Sequence, residues 1–317
     1  MPKFSDSSFL SSNGKNQIHL RRCDPDGEVC AVVQIAHGIA EHVGRYDDFA
    51  AFLAERGCAV AANDHLGHGG SVASPEGLGF TAERGGWGFM VDDMRQVYEQ
   101  MSGEYPDVPY FLFGHSMGSF LSRTYIILHR AGLSGCVLCG TGQQSPAVIG
   151  LGKRLGEREI RQHGAEYKSE RLNDMAFGSY NNGFNVVRTA SDWLSRDEAN
   201  VDKYIEDPLC GFIPSAALFR DMMGGLEFIT RQRNADRMAK SLPVLFISGD
   251  ADPVGERGAG VIRAYKMFLR AGLEDVTLKL YHGARHELLN EVNREQVYGD
   301  VLCWLDSKLA AVEKKSS

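Results

Sequence analysis

The stretch Val108–Phe120, VPYFLFGHSMGSF, is an apolar run that ends in Gly114-His115-Ser116-Met117-Gly118. The pentapeptide alone is weak. With 36 glycines in 317 residues, a G-x-S-x-G arises by chance about 0.3 times. Its flanks say more. Pro109–Phe113 is short, apolar and rich in aromatics, as a buried strand is, and Met117–Ala131 carries helical periodicity and ends before Gly132. A serine at so sharp a change from strand to helix fits a nucleophile elbow: small neighbours let the chain turn tightly, and the hydroxyl projects above the sheet. The N-terminus of the following helix favours the negative charge of an oxyanion.

Working outward, short apolar runs alternate with helical ones. Strands are expected at Val29–Ala36, Ala59–Asn63, Pro109–Phe113, Gly135–Cys139, Val244–Ser248 and Val276–Tyr281. Helices are expected at Tyr46–Arg56, Trp87–Ser102, Met117–Ala131, Gly255–Ala271 and Glu291–Leu309. The strands are apolar on both faces, as in a mostly parallel sheet covered by helices. Asn13-Gly14, between Phe9–Ser12 and Gln17–Leu20, marks an opening hairpin. From Thr141 to Asp236 no strand pattern occurs, only helical segments with Tyr180, Phe184, Trp193, Phe212, Phe219 and Phe228. So long an interruption is better explained by an inserted helical cap than by a loop. The expected organisation is a core at 1–140, a cap at 141–236 and the second half of the core at 237–317. The cap aromatics are expected to pack a small core, with a minority reaching substrate.

A serine hydroxyl needs a base, and the base needs a carboxylate to orient it. Both follow on loops after later strands, as Gly249-Asp250-Ala251-Asp252 and His282-Gly283-Ala284-Arg285-His286. Either aspartate and either histidine could fill the role by spacing alone. Near the N-terminus, strand Val29–Ala36 runs into His37-Gly38-Ile39, where the N–H of Ile39, with that of Met117, could form an oxyanion hole.

Composition narrows the class. A net charge of −7 and a pI near 5.8 leave no basic footprint for nucleic acid or an anionic membrane. The polar start and the lack of a long apolar run point to a soluble, cytoplasmic protein. Seven scattered cysteines suggest a reducing compartment, with Cys136 and Cys139 as buried strand thiols. His37, His42, His65 and His68 lack metal-site spacing and are expected to be structural, and Asp64 is expected to organise a loop. Gly140-Thr141-Gly142 lacks the third glycine of a dinucleotide turn. No cofactor or metal is expected.

Five segments, HGIAEHVGRYDDFAAFLAERG (37–57), NDHLGHGGS (63–71), FGHSMGS (113–119), ISGDADPVG (247–255) and YHGARHELLNE (281–291), resemble in order the motifs of the α/β-hydrolase superfamily. Within it they resemble the monoacylglycerol lipase and lysophospholipase group, which is also filed with serine aminopeptidases. The cap segment Ser179–Phe212 is similar to bacterial members of that group. The resemblance implies a mostly parallel sheet with flanking helices and an inserted helical cap. It also implies Ser116 as nucleophile, Asp252 as acid, His286 as base, and Ile39 and Met117 as oxyanion donors. The implied substrate is a small acyl ester, with aminopeptidase, amidase or thioesterase chemistry, or slow turnover by a binding protein, as rivals.

Overall fold

The central strands are apolar on both faces and lie in the middle of one sheet. The computed structural model describes residues 2–316. Its strands are β1 (Lys3–Leu10), β2 (Gln17–Asp24), β3 (Ala31–Ala36), β4 (Cys58–Asn63), β5 (Tyr110–His115), β6 (Gly135–Cys139), β7 (Val244–Gly249) and β8 (Val276–Tyr281). They form one eight-stranded sheet in the order β1-β2-β4-β3-β5-β6-β7-β8. β1 and β2 are antiparallel, and β3 through β8 run parallel. Every residue of β3, β4, β5, β6 and β7 is buried.

Helices α1 (Asp47–Ala54), α2 (Gly86–Glu104) and α3 (Met117–Leu128) follow β3, β4 and β5. Between β6 and β7 lie α4 (Pro146–His163), α5 (Glu170–Phe177), α6 (Glu198–Glu206), α7 (Ala216–Ile229) and the short α8 (Gln232–Ala235). Helices α9 (Ala259–Arg270) and α10 (Arg294–Ser316) follow β7 and β8. The sheet separates two cores. Leu112, Leu138 and Phe246 pack on one face with residues of α2, α3 and α9, while Phe111, Phe113 and Ile247 pack on the other with α1 and α10. Each such side chain contributes about 1.5–3 kcal/mol by leaving water. Cys136 and Cys139 fall in opposite cores, as residues three apart on a strand must.

Several element boundaries differ from the sequence expectation, and three of the differences have a visible cause. The Asn13-Gly14 hairpin has a six-residue connection, longer than the expected gap between Ser12 and Gln17, because β1 stops at Leu10. Asn13 Oδ1 accepts the N–H groups of Lys15 and Asn16, and Asp93 of α2 accepts from Ser11 Oγ and the Ser12 N–H. Helix α9 begins at Ala259 because residues 252–258 are spent on a turn with Glu256 and Arg257 at φ near +50°. Helix α10 begins at Arg294 because Glu291, fully buried, accepts the N–H groups of Arg285 and Arg196 instead of entering the helix.

The chain moves from β3 outward to β4, then back across β3 to β5, so β3 and β5 are neighbours with helices leaving in opposite senses. A crevice opens at the carboxyl ends of strands at such a reversal. Ala36 pairs with Gly114 there, which sets the loop after β3 beside the turn after β5.

Candidate active site

Ser116 occupies that turn, with φ 52° and ψ −120°. This conformation is strained for a residue with a side chain and persists only where its surroundings hold it. The Ser116 N–H donates to Cys139 O at 3.0 Å, and Ser119 Oγ donates to Ser116 O at 2.6 Å. The flanking glycines are required by close approach. A Cβ on Gly114 would lie 2.5 Å from Gly118 O, and one on Gly118 would lie 2.6 Å from His37 O and still closer to Ala36 O. Because those obstacles are backbone, Gly118→Ala is expected to destabilise the fold by about 3 kcal/mol or more. Thermal denaturation would read this as a large fall in Tm, and an unchanged Tm would show that α3 does not pack so tightly on β3.

The two aspartates and two histidines sort into separate pairs. His286 Nδ1 donates to Asp252 Oδ2 at 3.0 Å, and both residues are buried. His282 Nδ1 lies 2.9 Å from Asp250 Oδ2, but the His282 side chain is wholly exposed. Asp250 also accepts the Gly283 N–H, so that pair staples the loop from outside. Asp252 is held by the N–H of Val254 at 2.9 Å. With Nδ1 engaged, His286 Nε2 has no hydrogen bond to another described residue and lies in a cavity that Ser116 also lines. Gly140, at φ 58°, leaves room for this ring: a Cβ there would sit 3.0 Å from His286 Cε1. That contact accounts for the glycine in Gly140-Thr141-Gly142.

After β3 the chain turns through Ala40, at φ 56°. The Gly38 N–H is taken by Glu41 Oε1, while the Ile39 N–H has no acceptor among the described residues. Met117 is the first residue of α3, so its N–H has no partner within the helix. Ala40 O accepts from the Gly211 N–H and Tyr204 O–H, which joins this turn to the insertion.

The histidines near this loop are closer together than sequence spacing indicated. The His37 ring lies 4.2 Å from that of His65 and 5.2 Å from that of His68. His37 Nε2 accepts the His65 N–H and Nδ1 donates to Gly38 O, so both its nitrogens are in use. Burial pushes all three down, His68 to about 3. His42, Asp207 and Cys210 also converge. There His42 Nδ1 accepts the Gly44 N–H, so Nε2 carries the proton that Asp207 Oδ2 accepts at 2.8 Å. Asp64 organises its surroundings as expected, accepting from the N–H groups of Val43 and Gly70 and from His19 Nδ1.

Sequence reasoning missed a buried charge network. Glu41 Oε1 accepts from Tyr46 O–H at 2.8 Å and from His115 Nδ1 at 3.1 Å. Arg45 lies between Glu41 and Glu287 and donates to the latter. Burial pushes Glu41 up, but the His115 hydrogen bond, with His115 and Arg45 as neighbouring charges, outweighs it and holds the carboxyl well below its ordinary range. For His115 burial pulls down, and Glu41, Glu287 and Asp252 raise it on balance. The available signal was position: these residues are ionisable and sit inside the same motifs as Ser116, His286 and Ile39.

Above Ser116 is a cavity of about 580 Å³. The insertion supplies much of its wall, including Ile149, Met175, Phe177, Tyr180, Trp193 and Phe219. Four of the six aromatics singled out from sequence between residues 141 and 236, Tyr180, Trp193, Phe212 and Phe219, line it, more than the minority expected. Phe184 instead lies under the Arg285 guanidinium, and Phe228 packs on the core.

Sheet, elbow and converging loops define an α/β-hydrolase. Residues 27–293 match the family described as serine aminopeptidase, S33, and the chain belongs to it. The chain is 31% identical to a monoacylglycerol lipase of Mycolicibacterium smegmatis, over 90% of this chain and 91% of that one. It is 29% identical to the mouse monoglyceride lipase, over 97% and 93%. A carboxyl esterase from Bacillus coagulans, solved with glycerol, superposes with a TM-score of 0.90 at 30% identity, covering 96% of this chain and 99% of that one. The protein is a carboxylic ester hydrolase.

Proposed function

We propose that Ser116 is the nucleophile, His286 the general base, Asp252 the residue that orients it, and the N–H groups of Ile39 and Met117 the oxyanion hole. Asp252 holds the proton on His286 Nδ1, leaving Nε2 to take the proton of Ser116 as Oγ attacks the ester carbonyl. The oxygen of the tetrahedral intermediate takes its charge against the two amides and the N-terminus of α3. The imidazolium then protonates the departing alcohol, and water repeats the sequence to free the acid. The steps need neither metal nor cofactor.

The substrate is a monoacylglycerol- or lysophospholipid-like ester, and residues 141–236 are the cap that shapes its site. The observation that carries this is the cavity: its wall is largely apolar, and its two buried carboxylates, Glu41 and Glu287, are both paired with cations. An aminopeptidase needs a carboxylate free to hold the substrate's amine, and the remaining one in the wall, Asp174, is exposed. No described helix is long and apolar enough to cross a membrane. A panel of monoacylglycerols, lysophospholipids, p-nitrophenyl esters and aminoacyl anilides compared by kcat/KM tests this. The lipid esters are expected to exceed the anilides by about 100-fold or more, and the reverse order would assign the cavity to peptides.

A further inference from the structure

We propose that Glu41 is a positioning residue of the reaction, a buried brace that fixes the Ile39 loop to the Ser116 elbow and to the His286 loop at once. The inference rests on the roles given above to Ser116, His286 and Ile39.

Three loops meet at the site, and none is joined to the others by sheet hydrogen bonds beyond the strand ends. Glu41, only 3% exposed, touches the first two directly and the third through Arg45. Its Oε1 accepts the Gly38 N–H, one residue before Ile39. This removes the Gly38 amide from the site and fixes the peptide that aims the next one. The same oxygen accepts from Nδ1 of His115, the residue before Ser116, and the other ring nitrogen, Nε2, faces His286 O at 3.4 Å. Both nitrogens of His115 therefore face acceptors, and Nδ1 also lies 3.1 Å from the Tyr46 hydroxyl. The second arm runs from Glu41 Oε2 to Arg45 Nε at 3.5 Å, and from Arg45 Nη2 to Glu287, the residue after His286.

Charge explains why the brace takes this form. A lone buried carboxylate so near a developing oxyanion would oppose it. Here the two carboxylates, Glu41 and Glu287, are met by the Arg45 guanidinium and the His115 ring, so neither stands alone beside the site. Tyr46 completes it by donating to Glu41. A buried network whose members hold one another is rigid, and rigidity of the donor loop is what an oxyanion hole requires.

Glu41→Gln keeps an oxygen for the Gly38 N–H and removes the charge that holds His115 and Arg45. A displacement of the loops by a fraction of an ångström is then expected to lower kcat for p-nitrophenyl butyrate by about 10- to 100-fold. KM should stay within about twofold, because the apolar wall is untouched. The rate of labelling by a fluorophosphonate should fall by the same factor, since that step also needs the oxyanion hole. If Glu41→Gln fails to fold, Glu287→Gln opens the brace at its other end and should give the same split. Wild-type kcat and labelling in either variant, beside an inactive Ser116→Ala, would overturn the brace and leave the triad standing. An active Ser116→Ala would remove the triad and the brace with it.

Discussion

Ser116→Ala is expected to lower turnover of p-nitrophenyl butyrate by about a millionfold and to abolish labelling by a fluorophosphonate, with little change in Tm. The size follows from the dependence of every covalent step on one oxygen: without Oγ no acyl-enzyme forms, and the residual rate is that of water in a cavity that still offers oxyanion donors. The unchanged stability follows from the local structure. Ser116 Oγ has no hydrogen bond to another described residue, whereas its N–H and C=O, which alanine keeps, bind Cys139 O, Ser119 Oγ and the first turn of α3. Alanine has the same Cβ, so the strained φ of 52° is neither relieved nor worsened. The combination separates chemistry from folding. A variant that kept activity would move the nucleophile elsewhere, and one that lost both activity and structure would mean that the hydroxyl helps to hold the elbow.

The fold was legible because its signals are local and repeated. All six core strands expected from sequence are present within three residues of their expected ends, since an apolar run of five or six residues bounded by glycine or a polar turn has few other homes. Boundaries failed where a side chain made a long-range bond that no window of sequence contains. Asp93 takes Ser11 into the hairpin connection, and Glu291 caps the His286 loop in place of starting a helix. The same distinction governs the site. Ser116 and the loops carrying Asp250, Asp252, His282 and His286 follow strands, so the order of those loops could be read from periodicity, whereas the choice of Asp252 and His286 within them came from the family resemblance alone. The Glu41–Arg45–Glu287–His115 set is a product of tertiary folding: its members are separated by as many as 246 positions, from Glu41 to Glu287, and each has an ordinary surface identity in sequence. Residues 141–236 behaved likewise. Their helices were visible as periodicity, but the aromatics facing the cavity could be told from those facing the core only once the helices had been placed.

Asp252→Asn is expected to lower kcat by about 10⁴-fold, while Asp250→Asn leaves it within about twofold. Spacing makes these two residues equivalent, being alternate positions of one loop; their surroundings do not. Asp252 is fully buried, and its Oδ2 receives the Nδ1 proton of His286 while Oδ1 is fixed by the Val254 N–H. An asparagine there can turn its NH₂ toward the ring, which moves the imidazole proton to Nε2 and leaves Ser116 facing a donor instead of a base. Asp250 binds an exposed imidazole and the Gly283 N–H, and exposed pairs contribute about 0–1 kcal/mol. Its loss slackens the outer staple of the loop, while His286 remains anchored by Asp252, by its own N–H to Trp193 O, and by Glu287 N–H to Leu194 O. Kinetics of the two variants on one ester decide the assignment. If Asp250→Asn proved the inactive variant and Asp252→Asn the active one, the surface pair would have to move inward on substrate binding, and the buried pair would be structural.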